Sequence, residues 1–385
     1  MINNTIVRRL ATASILFLAS TDHHSSCFVK ATATATASGT EKPLISAGKL
    51  RSLAEQAMSE RRFDEAVTYY SQAIDVEPSN AANYYKLFRV HSRMRNYISA
   101  LTDISNACEM DPQQAEYRFQ KAKLLVNLGR CDEAVEQHKI IVESGNVPKD
   151  IMSSVQAARL DALACEDEVS AAQEAFSQQD YKEAKYFFDR ALSHMEHAPD
   201  LLFLKAQSQY HLGDYFGVIS DTGKILKVHK QNLDAYQLRG EAYFRTGEHD
   251  VAVTHFREGL KLDPEHKGCK AGHKLVKSIM KKEKRGNDAF SAGKHEDAVE
   301  YWWQAIKIDE THRAFARPTM LKIATSYTAS GDHKDAIKTV EDYLEEEESL
   351  EGILALGDAY MGGDEFDRAV NTFQKAIEFE VSVDC

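Results

Sequence analysis

Small and large apolar positions recur along this chain in a fixed order. Ala66, Tyr70, Ala73 and Pro78 are spaced like Ala100, Ile104, Ala107 and Pro112, and again like Ala252, Phe256, Gly259 and Pro264. Each run holds a small residue, a large apolar one four later, a small one three later and a proline five further on. With that proline set at position 32, a unit of 34 residues starts at 47, 81 and 233. Weaker copies start at 115, 165, 199, 279, 317 and 350, which makes nine. Small side chains at positions 8, 20 and 27 let two antiparallel helices, and the next unit's first helix, approach closely. Large apolar residues at 4, 11, 17 and 24 fill the gaps between them. Proline at 32 ends the second helix, because it has no N–H to donate and its ring clashes with the preceding turn. All seven prolines are expected at unit edges, in the linker after unit three, or ahead of the array, with none mid-helix.

Successive starts differ by 34, 34, 50, 34, 34, 46, 38 and 33 residues. The two large excesses follow units three and six, so the nine divide into triplets at 47–164, 165–280 and 281–385. The inserts, Ser144–Ala164 and Cys269–Met280, read as extra helix rather than loop. This is the pattern of the tetratricopeptide repeat. The expected fold is all-α: an elongated tetratricopeptide-repeat solenoid, nine repeats in three triplets joined by extended helices.

Residues 1–40 lie ahead of the array and read as a targeting leader. Arg8 and Arg9 precede a mostly apolar stretch, Leu10–Ala19, followed by the low-complexity run Ala31–Ser38. That layout is a secretory signal peptide, with an organellar transit peptide as the competing reading. The small residues Ala31 and Ala33 form a cleavage motif, and the one N-x-S/T acceptor, Asn3, falls inside the leader.

Composition narrows the partners. The 385 residues carry 47 basic and 59 acidic side chains, a net charge of −12, which argues against nucleic acid. No apolar run is long enough to span a membrane. Six scattered cysteines, Cys27, Cys108, Cys131, Cys165, Cys269 and Cys385, include no CxxC pair. They do not form a disulfide scaffold, though Cys108 and Cys131 lie in adjacent repeats and could oxidise. No phosphate loop, HExxH, GxSxG or Cys–His nucleophile context is present, so neither catalysis nor a cofactor is expected.

The run Phe256-Arg-Glu-Gly-Leu-Lys-Leu-Asp-Pro-Glu-His-Lys-Gly-Cys-Lys-Ala-Gly-His-Lys-Leu-Val-Lys277 carries repeat six into its linking helix. Together with nine repeats in triplets behind a leader, it resembles the endoplasmic-reticulum J-domain co-chaperones called DnaJ subfamily C member 3, inhibitors of the interferon-induced protein kinase. The resemblance spans about residues 47–380. It implies a non-catalytic protein that binds unfolded or misfolded polypeptides in the endoplasmic-reticulum lumen during the stress response. It implies as partners a lumenal heat-shock chaperone and kinases of a translation initiation factor. The family's J domain follows repeat nine and carries a His-Pro-Asp signature; none occurs in these 385 residues, and His197-Ala-Pro-Asp200 is not that motif. The chain as written is therefore not expected to stimulate an ATPase. Without a Lys/His-Asp-Glu-Leu terminus, lumenal retention would need a partner. The alternative is an assembly scaffold in another organelle that binds defined peptides of folded subunits.

In such arrays, positions 2, 5, 9 and 12 of each first helix line the concave groove. In the first triplet they do not supply the asparagines of a carboxylate clamp, and Glu55 would repel an anion. Met58, Tyr85, Phe119 and Val126 remain, apolar at groove positions. The resemblance implies that they hold clients, and adaptable Met and aromatic side chains suit that task. Packing between helices is the competing reading for each. Phe88 stands at position 8, where a small residue is usual; it either splays repeats one and two or projects into the groove. His266, Cys269 and His273 have near-metal spacing but lack a fourth ligand, so no metal is expected. Lys270, Lys274, Lys277, Lys281, Lys282, Lys284 and Arg285 make one basic helix, read as a solvated linker or as a face for an anionic partner. Glu345–Glu348 form an acidic run with no ligand spacing.

Overall fold

The computed structural model describes residues 45–383 except 146, 148, 150, 194 and 196. The leader with Asn3 and its cleavage motif, Cys27 and Cys385 lie outside the described residues. Contacts divide the chain into Met1–Ser46 and Ala47–Cys385, and every described helix belongs to the second unit.

That unit is helical throughout, with no strand among the described residues. The first triplet holds α1 (Ala47–Ser59), α2 (Phe63–Val76), α3 (Ala81–Arg93), α4 (Tyr97–Met110), α5 (Ala115–Asn127) and α6 (Cys131–Ser144). The second holds α7 (Met152–Ser177), α8 (Tyr181–Leu192), α9 (Pro199–His211), α10 (Tyr215–Val228), α11 (Leu233–Arg245) and α12 (His249–Leu262). The third holds α13 (Lys267–Ser291), α14 (His295–Ile306), α15 (Arg313–Ser330), α16 (His333–Glu346), α17 (Leu350–Gly362) and α18 (Phe366–Val383). Each helix packs on the next, and first helices of successive repeats touch, as α9 does α11 and α15 does α17. This is the nearest-neighbour stacking of a solenoid.

Two local rules set the repeat frame. Counted from the nine starts, position 15 takes a positive φ in every repeat: Arg61, Arg95, Gly129, Gln179, Gly213, Gly247, Gly293, Gly331 and Asp364. The turn between the paired helices demands the left-handed region, so glycine is common there and the four other residues carry strain. Positions 8 and 24 divide a shared volume. A Cβ on Gly240, Gly286 or Gly357 would fall 2.4–2.8 Å from the ring of Phe256, Trp302 or Phe373, the residue at position 24 of the same repeat. Repeat two reverses the allocation, with Phe88 at position 8 and Ile104 at 24, both buried.

Two expectations need correction. The stretch after repeat three is not helical throughout: Gly145 closes α6 in the left-handed conformation and α7 begins only at Met152. From there the linker and the first helix of repeat four form one continuous 26-residue helix, as they do in the 25-residue α13. Pro318 lies inside α15, because that helix starts at Arg313, a turn before the repeat frame begins. The extra turn absorbs the four-residue excess between repeats seven and eight. The core is also continuous across the triplet boundaries. One cluster runs from Phe244 through Val276 and Trp302 to Ile323, and another from Cys131 through Phe188 to Leu201.

Candidate functional site

The groove positions expected of the first triplet fall on α1, α3 and α5, and only some of the side chains expected there reach the surface. Tyr85 on α3 is half-buried, its ring 4.9 Å from that of Tyr117 and 5.8 Å from that of Phe88. Burial, followed by the charge of Glu116, raises its phenol above the ordinary value. Met58 is half-buried against Ala54, Ala57 and Tyr70, away from that aromatic cluster. Val126 is half-buried between the cores of repeats three and four.

Phe88 and Phe119 are each only 7% exposed. Phe88 neither splays the repeats nor projects; it packs on Ala100, Ile104, Ala107 and Leu124, where the small residues of α4 make room. Phe119 is covered by Ile141, Val155 and Ile151, since the start of α7 folds back over α5 and α6. The carboxylate of Glu55 is engaged by Lys86. Burial alone would raise its pKa, but hydrogen bonds from Lys86 and Tyr70 hold it below the usual carboxylate value.

The remaining candidates have structural roles. His266 caps α13, its Nδ1 accepting from the Cys269 N–H at 3.3 Å. The Cys269 thiol is buried beneath Gly259 and pushed up to about 11, chiefly by that burial. Cys108 is a free buried thiol, also raised by burial. It does not pair with Cys131, which is bonded instead to Cys165, Cα–Cα 5.7 Å, joining the start of α6 to the middle of α7. The sequence offered no signal for this choice of partner, because the fold of the linker decides it.

A second unforeseen feature joins repeat six to repeat eight. His312 is fully buried, with its Nε2 2.8 Å from Nε2 of His249. Phe244 and Phe315 flank the pair, and Arg245 bonds Asp309 beside it at 2.9 Å. Burial pushes His312 down to about 4, with the neighbouring His249 and Arg245 adding to the effect; His249 is also lowered by burial. His255, stacked on Tyr243, sits at about 4 for the same first reason, then the charge of Arg239. These rings are neutral in the folded protein at pH 7, whereas in the unfolded chain they take up a proton near pH 6.5. Their contribution is therefore complete above pH 6.5. For His312 and His255 it falls towards pH 4 by on the order of 1 kcal/mol per pH unit. Urea midpoints should drop between pH 7 and pH 5, and less steeply in His312→Gln. A flat profile would refute this account.

Among the described residues no helix is long and apolar enough to cross a membrane. The tetratricopeptide-repeat family matches at residues 233–266 and 350–380. The Arabidopsis thaliana DnaJ protein P58IPK homolog is 30% identical over 217 residues, which are 55% of this chain and 43% of that relative. The Bos taurus DnaJ homolog subfamily C member 3 is 28% identical over 233 residues, 60% of this chain and 45% of that one. The chain thus matches less than half the length of either relative. The crystal structure of the P58(IPK) TPR domain superposes with a TM-score of 0.68 at 24% identity, covering 86% of this chain and 92% of the other, and so has the same fold. The chain carries tetratricopeptide-repeat matches in its sixth and ninth repeats, shares the fold of the P58(IPK) TPR domain and resembles the P58IPK-type DnaJ proteins.

Proposed function

We propose that this chain is a non-catalytic, co-chaperone-like protein that binds unfolded or misfolded polypeptides in the endoplasmic-reticulum lumen. The observation that carries the reading is the aromatic cluster of Tyr85, Phe88 and Tyr117, which presents the half-exposed Tyr85 at a groove position of the first triplet. Met58 adds partly exposed apolar surface on α1, Val126 is half-buried between repeat cores on α5, and Phe88 supports Tyr85 from within the core, whereas Phe119 is covered. Such a surface takes many sequences because its affinity comes from area rather than from placed hydrogen bonds. The Cys131–Cys165 disulfide supports an oxidising compartment, where such bonds persist. Stress-response partners and restraint of initiation-factor kinases extend the same reading from the family resemblance alone.

Aggregation of a denatured model protein tests it. The parent chain should suppress aggregation, and Tyr85→Ser with unchanged helicity should suppress it several-fold less. Phe216→Ser, which removes a 74%-exposed ring on α10, should behave like the parent. Equal suppression by all three would overturn the groove assignment, and no suppression by the parent would overturn client binding itself.

A further inference from the structure

The helix α13 carries eight cations, Lys267, Lys270, Lys274, Lys277, Lys281, Lys282, Lys284 and Arg285, against the two carboxylates of Glu283 and Asp288. In a chain of net charge −12 this is a concentrated reversal of sign. Five of the lysines, at 270, 274, 277, 281 and 284, advance in steps of four and three residues. At about 100° per residue those steps return to one side of the helix, so the five form a row about 21 Å long. The opposite flank is held in the core by Cys269, Val276, Ile279 and Gly286, which fixes the row in place.

All five are exposed. Lys270 pairs with Glu265 at 3.1 Å, while Lys274, Lys277, Lys281 and Lys284 form no ion pair among the described residues. Glu283 is turned to Lys322 at 3.4 Å. Lys277, Lys281 and Lys284 line an open groove of about 830 Å³ together with Glu283 and Asp288 of the same helix and with Glu248 and Asp250 of repeat six, whereas Lys270 and Lys274 lie beyond it. The field is felt nearby: besides its burial, the charges of Lys277 and Arg257 lower His273.

We infer that this lysine row is a docking surface for an extended acidic peptide segment of a partner protein, about six residues long. Alternate side chains of an extended strand lie about 6.8 Å apart, close to the 5.4 Å turn of the row, and lysine stems absorb the difference. A short peptide touches the row alone. A membrane or a nucleic acid would bring an extended negative surface against the rest of an acidic chain. The surface lies on the helix joining triplets two and three and is independent of the first-triplet groove.

Fluorescence anisotropy with a labelled Asp-Glu-Asp-Glu-Asp-Glu peptide and the full chain is the test, at low and raised salt. Binding should weaken as salt rises and should be absent for an Asn-Gln peptide of equal length. Lys274→Glu, Lys277→Glu and Lys281→Glu together should weaken it at least about tenfold, with helicity and aggregation suppression unchanged. A control with Lys139→Glu, Lys182→Glu and Lys338→Glu changes net charge equally, at exposed sites elsewhere, and should retain binding. No binding by the parent, equal loss in the control, or tighter binding to phosphatidylserine vesicles or oligothymidine than to the peptide would overturn the inference.

Discussion

Trp302→Ala is expected to cost about 3–5 kcal/mol, as deletion of a large buried aromatic does when the surroundings cannot collapse. Trp302 is 2% exposed at the centre of the cluster shared by repeats six to eight, and its Nε1 donates to Asn287 Oδ1 at 3.1 Å. Collapse is hindered because the space opposite is already empty of side chain: Gly286 faces the indole directly. The same geometry predicts a coupling. Gly286→Ala alone places a methyl 2.4 Å from the indole and should cost about 1–3 kcal/mol. Combined with Trp302→Phe, which vacates part of that volume, it should cost less than the sum of the two single changes. Denaturation of the four proteins, followed by circular dichroism, measures the cycle. Strict additivity would mean that positions 8 and 24 do not share volume.

Loss of the Cys131–Cys165 bond is the second large effect. The two residues are 34 apart in sequence, 2% and 5% exposed, at a Cα separation ordinary for a disulfide. Releasing a loop of that length from the unfolded chain corresponds to about 3–4 kcal/mol in the chain-entropy account. The bond ties α6 to α7, so the junction of repeats three and four should loosen first, exposing Phe119, which the start of α7 covers. The urea midpoint should fall on reduction and equally in Cys131→Ser combined with Cys165→Ser. Reductant should then have no further effect on the double variant. Alkylation of Cys131 in the unreduced native protein, read by mass spectrometry, would show that the bond does not form.

Much of the fold was legible because the repeat is a local code. Each unit needs a left-handed turn at position 15, small residues where helices cross and a stop at position 32, and these demands fall on residues close in sequence. Counted from the nine starts, the left-handed residue falls at position 15 even at Arg61, Arg95, Gln179 and Asp364, where no glycine marks it in the sequence. The compensation between positions 8 and 24 was not readable: Phe88 opposite Ile104, against Gly286 opposite Trp302, is a balance of volumes that only the packed repeat reveals, and the sequence left Phe88 as a wedge or a projecting ring.

What escaped depends on where the chain goes between repeats. Phe119 occupies a groove position by count, but the linker runs back over it, and no residue of α5 encodes that path. The sequence offered Cys108 as a partner for Cys131, but the path of α7 brings Cys165 to it instead. His249 and His312, 63 residues apart, meet only because α13 and α14 bring repeat eight back against repeat six. The lysine content of α13 was plain in the sequence, yet only a continuous helix, anchored along one flank, aligns those charges in a row. Local periodicity therefore determined the helices, their pairing and their order. The tertiary path, through burial and contacts distant in sequence, decided which apolar side chains reach the surface, which thiols bond and which charges stand together.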